Sequence, residues 1–174
     1  MPRYAAFLRG VMPGKPTMAQ LKAAFESAGF TKVKTVLSSG NVVFDARAAS
    51  VEALARKADA AMSDEIGRVY AAIVRSVDDI RALLDADPFA AFDLPSDAKR
   101  IVTFLREPPK TETRELPLML ARAKILAVDG RHAFTMYQPT PGNPAFMTLI
   151  EKTFGKDVTT RTWETLQRVV KAAQ

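Results

Sequence analysis

The sequence has no cysteine and a single histidine, His132. Without thiols the chain forms no disulfide, holds no thiolate-bound metal and uses no cysteine nucleophile. One imidazole excludes a multi-histidine metal site within one chain, so no metal is expected. No apolar run approaches the ~20 residues that span a bilayer. The opening MPRYAAFLRG has arginines on both sides of a short apolar run and no signal-peptide cleavage pattern. The expectation is a cytoplasmic protein without a membrane partner. There is no G-x-S-x-G elbow. The segment Gly10–Gly14 fits neither the dinucleotide fingerprint nor the phosphate-binding P-loop, although Gly14-Lys15 superficially resembles the latter. Asp78-Asp79 and Asp85/Asp87 read as helix-end and linker carboxylates, not as a paired acid and base. No cofactor is indicated, and enzymatic activity stays an open question at this level.

What is present is ordinary globular material. The 174 residues are 48% hydrophobic and 25% charged, enough for one large domain or two small ones. The net charge of +6 is unevenly spread: residues 1–44 carry +5, residues 45–95 carry −4 and residues 96–174 carry +5. A basic surface raises the local concentration of anions, whether metabolites, nucleotides or nucleic acid. No block of consecutive basic residues exists, however, which is also what a moderately basic protein with no acidic partner shows.

Periodicity and punctuation give the elements. Residues 3–9 read as a strand ended by Gly10, and the Pro/Gly loop 10–16 is irregular. Thr17 and Gln20 have capping-box spacing, and Met18, Leu21, Phe25 and Ala28 share a helical face that Gly29 stops. Residues 33–37 and 42–44 read as strands around the turn Ser38-Ser39-Gly40-Asn41. Ser50 caps a helix with Val51, Leu54, Ala58 and Met62 on one face. A strand at 69–74 follows, then a short helix capped by Ser76. The order β-α-β-β-α-β is ferredoxin-like. Residues 87–98 are acidic, contain proline and read as a linker in which Phe89 and Phe92 dock. A second unit repeats the pattern: a strand at 100–105, a helix within 111–121, a hairpin at Asp129-Gly130, a helix capped at Asn143-Pro144 with Phe146, Met147, Ile150 and Phe154 buried, a short strand at 158–160, and a final helix from Trp163. The expectation is therefore α+β, two tandem ferredoxin-like units with antiparallel sheets, over residues 1–86 and 99–174. The repeat is one of pattern, with no residue-level repeat evident.

In such a unit the end of the first strand, the start of the first helix and the second-to-third hairpin lie at one end of the sheet. Arg9, Gly10, Lys15, Thr17, Ser38, Ser39, Gly40 and Asn41 would then form a rim of cations, hydroxyls and helix N-terminal amides suited to a phosphate or carboxylate. The alternative is local: turn glycines, a capping threonine and an arginine paired with a nearby acid. Thr160 and Arg161, in the run from Thr159 to Trp163, form a second candidate, with capping by Thr160 or Thr162 and a core role for Trp163 as the alternative. His132 reads as an exposed hairpin residue. An RNA-recognition surface is disfavoured, because the third strand offers one aromatic, Phe44, followed by an acid. The leading expectation is a binding protein for a small anionic ligand. An interaction module or homodimer is the alternative, with an enzyme or non-specific nucleic-acid binder behind both. Oligomeric state is not set by the sequence.

The motifs Leu8-Arg9-Gly10, Gly29-Phe30, Ser39-Gly40-Asn41-Val42 and Thr159-Thr160-Arg161-x-Trp163 together resemble the bacterial family catalogued as domain of unknown function 1697. The resemblance runs over essentially the whole chain. It implies two ferredoxin-like units in tandem and no particular activity. The chain departs from the family where Val11-Met12-Pro13-Gly14-Lys15 replaces an Ile-Asn-Val-Gly-Gly-type loop, and where Thr162 replaces asparagine.

Overall fold

The computed structural model describes residues 1–109, 118–139 and 145–174. The fold is α+β, with two antiparallel sheets and five α-helices among the described residues. Two compact units make up the chain. One comprises Met1–Asp85 and Leu166–Gln174, the other Ala86–Thr165.

In the first unit β1 (Arg3–Leu8), α1 (Met18–Ser27), β2 (Thr31–Val36), β3 (Asn41–Asp45), α2 (Val51–Ile66) and β4 (Ala72–Ser76) follow in the expected order, and α3 (Val77–Ala86) is appended. The sheet runs β2-β3-β1-β4 with every neighbouring pair antiparallel. Alternation along β1 sends Tyr4, Ala6 and Leu8 into a core with Leu21, Phe25, Leu54, Ala58 and Met62 of α1 and α2. Phe30 and Phe44 stack at 4.3 Å, and Phe25 meets Phe44 edge-on at 5.5 Å. Each such pair adds about 0.5–1.5 kcal/mol beyond its buried area. Ala5, Phe7 and Val43 are buried as well, so this strand pair is apolar on both faces. The fourth strand lies later than the sequence suggests. Val69 is exposed, whereas Arg75 and Ser76 pair with Ala5 and Tyr4. Ser76 closes the strand and then accepts the Asp79 N–H to cap α3, so strand and helix share a residue.

The second unit contains β5 (Lys99–Leu105), β6 (Leu118–Leu120), β7 (Ala123–Asp129), β8 (His132–Tyr137), α4 (Ala145–Phe154), β9 (Val158–Thr162) and the first residues of α5 (Trp163–Ala172). Its sheet runs β6-β7-β8-β5-β9. The expected helix within 111–121 is replaced at 118–120 by β6, whose apolar residues gain ladder bonds and packing by pairing with Ala123–Ile125. The remainder of that expected helix, and the Asn143-Pro144 cap, lie outside the described residues. The Asp129-Gly130 hairpin forms, with Asp129 and His132 as its closing pair. On α4 the buried residues are Leu149 and Ile150, with Phe146 and Phe154 partly covered. Met147 sits at the border of that stripe and is 39% exposed. Phe89 docks as expected, edge-on to Phe134 and Trp163, while Phe92 stays at the surface.

Strand register uncovers a residue-level repeat that the linear sequence hides. In the first unit Tyr4 faces Phe44 and Ser76; in the second Ile101 faces Thr135 and Thr162. The N–H of Leu8 donates to Gly40 O at 2.9 Å, and that of Leu105 to Arg131 O at 2.8 Å. Superposing these registers matches Arg3, Phe7, Leu8 and Arg9 to Arg100, Phe104, Leu105 and Arg106. It also matches Arg75 to Arg161, and the capping Ser76 to the capping Thr162. The spacing between matched residues differs from strand to strand because the connecting loops differ in length.

Candidate functional site

The rim begins where β1 ends. The Leu8–Gly40 hydrogen bond ties the end of β1 to the turn after β2. Gly40 has φ +87°, and a Cβ placed there would lie 2.7 Å from Val11 Cγ2 and 3.2 Å from Leu8 Cβ. The turn and the loop after Arg9 are therefore in direct contact, and glycine is required by both conformation and space. Arg9 is half-buried at this corner and Gly10 is exposed. Further along the loop, Met12 and Lys15 exchange two backbone hydrogen bonds, at 3.1 and 2.9 Å, which fold the tip and leave Lys15 exposed.

Several of the sequence-selected residues build this rim rather than line it. Thr17 forms a complete capping box. Its hydroxyl accepts from the Gln20 N–H at 3.1 Å, and its own N–H donates to Gln20 Oε1 at 2.9 Å. Asn41 is buried, and its Nδ2 donates to Val36 O and to Ser39 Oγ, both at 2.9 Å. It bolts the two ends of the turn together. Ser38 and Ser39 face solvent on the turn that Asn41 holds. The first unit thus joins Arg9 and Gly10 to Ser38, Ser39, Gly40 and Asn41, with Lys15 and Thr17 on the loop that leaves the same corner.

The second candidate run is built inward. Arg161 is buried, and its Nη1 donates to Thr159 Oγ1 at 2.8 Å and to Thr160 O at 2.7 Å. Burial pushes its pKa down to about 10, which leaves it charged at neutral pH. Thr162 Oγ1 caps α5 by accepting the Thr165 N–H at 3.2 Å. Trp163 is a core residue, packed on Phe89 with the Arg100 guanidinium 5.9 Å from its ring.

His132 is half-buried, with its ring edge-on to Phe104 at 5.4 Å, and is not the exposed hairpin residue expected. Among the described residues no group of three or more His, Asp or Glu side chains could hold a metal ion. Two features leave no trace in the linear sequence. One is the packing of Val11 on Gly40, which depends on loop geometry. The other is the Arg106–Asp157 ion pair, in which Nε reaches Oδ1 at 3.1 Å and Oδ2 at 2.9 Å across a wide sequence gap. That pair lies on the wall of a cleft of about 440 Å³ lined also by Leu105, Thr153, Phe154 and Val158. A cleft of about 480 Å³ in the first unit is lined by Phe30, Ala46, Arg47, Ala53, Leu54 and Lys57, away from the rim.

Fold and site together define an α+β protein of two antiparallel-sheet units with a polar loop-and-turn rim on the first. The chain belongs to the family described as a protein of unknown function, DUF1697, which matches residues 1–134. No curated protein matches it. Among solved structures it is similar to a conserved bacterial protein from Streptococcus pneumoniae. The two are 20% identical, the match covers 99% of this chain and 98% of that one, and the TM-score is 0.71. At that identity the likeness speaks to the fold. Among the described residues no helix is long and apolar enough to cross a membrane.

Proposed function

We propose that the protein binds a small anionic ligand, bearing a phosphate or carboxylate, at the rim where Arg9, Gly10 and Lys15 meet Ser38 and Ser39, and that it does so in the cytoplasm. The observation that carries this reading is the contact of the Gly40 turn with Val11. It supports the reading because the loop that follows Arg9 packs beside the turn that carries Ser38 and Ser39. Guanidinium and hydroxyl donors are the groups that give charge-assisted bonds to oxyanions. The +5 charge of residues 1–44 adds a favourable field. In this reading Thr17, Gly40 and Asn41 shape the site, and Thr160 and Arg161 hold β9.

The test is thermal-shift titration of phosphate, nucleotides, acyl phosphates and small carboxylates at constant ionic strength. The expected result is a saturable shift that Arg9→Ala and Lys15→Ala each weaken and that Lys156→Ala, in the second unit, leaves intact. Absence of a shift with every anion, or a shift indifferent to Arg9→Ala, overturns the reading.

A further inference from the structure

The 480 Å³ cleft of the first unit is lined by the turn that follows α1 and by the connection from β3 into α2. Small residues make the room. Ala46, Ala48 and Ala49 belong to the connection, Ala53 lies in the first turn of α2, and Gly29 adds no side chain on the α1 side. The apolar floor is Phe30 and Leu54, both core residues, and Phe30 is fixed by its stack on Phe44. A floor that is part of a close-packed core resists moving to fill the space above it. Two cations also line the cleft, Arg47 on the connection and Lys57 one turn along α2 from Ala53. Both are exposed, so they stand on the solvent side of the buried floor. Lys57 Nζ lies 6.0 Å from the centroid of the Phe30 ring, the outer limit of a cation–π contact. Among the described residues no carboxylate lines the cleft, and neither Arg47 nor Lys57 forms an ion pair. Asp45, which directly precedes the connection, is taken by Arg3 at 2.8 Å and Lys32 at 3.8 Å.

We infer that this cleft is a second binding site, for a small monocarboxylic acid with an apolar body. The body lies on Phe30 and Leu54, and the carboxylate meets Arg47 and Lys57. Charge complementarity selects the sign: an acid approaches two unpaired cations, whereas an amine is repelled by them. The size falls within the range of about 300–1,000 Å³ common to small-molecule sites, and an apolar wall with a few charged groups is their usual composition. The inference stands apart from the rim reading, because it uses other residues and requires an apolar body that the rim does not.

The test is an amide-resolved NMR titration of the full chain with butanoate, hexanoate and hexanol at constant ionic strength. Hexanoate should give saturable perturbations centred on residues 29–30, 46–49 and 53–57 and not on the rim residues 9–15 and 38–41. Affinity should rise about two- to fourfold per methylene from butanoate to hexanoate, as the chain leaves water. Hexanol, with the same chain and no charge, should bind about fivefold more weakly or worse, and Arg47→Gln combined with Lys57→Gln should lose a similar factor for hexanoate. Ala53→Leu, which places an isobutyl group in the cleft, should remove the saturable response. If that variant misfolds, the changes at exposed Arg47 and Lys57 still decide the matter. Affinity indifferent to chain length, hexanol equal to hexanoate, or indifference to the paired glutamine changes overturns the inference. So does wild-type hexanoate affinity in a folded Ala53→Leu protein. Hexanoate perturbations confined to the rim overturn this inference and favour the rim reading. Hexanoate perturbing the cleft while phosphate fails at the rim supports this inference and overturns the rim reading alone.

Discussion

Replacing Gly40 by alanine tests the packing on which the rim depends. Two costs add at this position. A left-handed backbone, here φ +87°, costs a residue with a Cβ about 1–2 kcal/mol. The new methyl would also stand 2.7 Å from Val11 Cγ2 and 3.1 Å from Val11 Cβ, a forced contact of the kind that costs about 1–3 kcal/mol. Gly40→Ala should therefore lower the unfolding free energy by about 2–5 kcal/mol, read from urea denaturation with an unchanged slope. The two costs separate in a Val11→Ala background. That change removes Cγ2 and leaves the backbone conformation of residue 40, Val11 Cβ at 3.1 Å and Leu8 Cβ at 3.2 Å in place, so the cost of Gly40→Ala should fall by about 1 kcal/mol, toward the conformational part. A cost below about 0.5 kcal/mol in the wild-type background, or an equal cost in both backgrounds, would refute the argument that turn and loop are packed against each other.

Three further outcomes are expected. Thr103 and Thr135 each bury a hydroxyl with no hydrogen-bond partner among the described residues. Thr103→Val and Thr135→Val should therefore each raise stability by about 1 kcal/mol, and a loss on thermal or urea unfolding would point to a bridging buried water instead. Asn41→Ala removes the Nδ2 hydrogen bonds to Val36 O and Ser39 Oγ. It should cost about 2–3 kcal/mol and speed amide exchange in residues 37–40, whereas unchanged exchange would contradict the bolt. Phe89→Ala should destabilise the second unit by about 3–5 kcal/mol and shift Trp163 fluorescence, and an unaltered emission spectrum would argue against their edge-to-face contact.

Much of the first unit could be read from the chain because its signals are local. Thr17 and Gln20 lie three residues apart and form the capping box that spacing implies. The faces of α1 and α2 follow the helical period, and Ser50 caps where it stands. What was not legible depends on partners distant in sequence. Residues 118–120 have the composition of a helix, yet they form β6 because β7 offers them a ladder. Asn41 reads as a turn residue, and only the coordinates give it a buried, bolting role. The Arg3/Arg100 and Arg75/Arg161 correspondences escape notice because loops of unequal length slide the two halves out of step. For the site, chain order puts the end of β1 beside the turn after β2, where the Leu8 N–H donates to Gly40 O. Residue type alone cannot say that Thr17 and Asn41 are occupied in local hydrogen bonds, nor that the Thr159–Arg161 hydrogen bonds turn inward.

The closing helix, α5, starts among residues of the second unit and finishes among those of the first, where Arg3 Nε donates to the Ala173 carbonyl at 2.9 Å. The unit that opens the chain is thus completed by its final residues. On the ribosome that unit lacks its helical segment until everything between has emerged. A polypeptide severed within 87–98 would yield an amino-terminal fragment missing a segment that only the other piece can supply. Recovery after such a cut would therefore demand that both halves meet again.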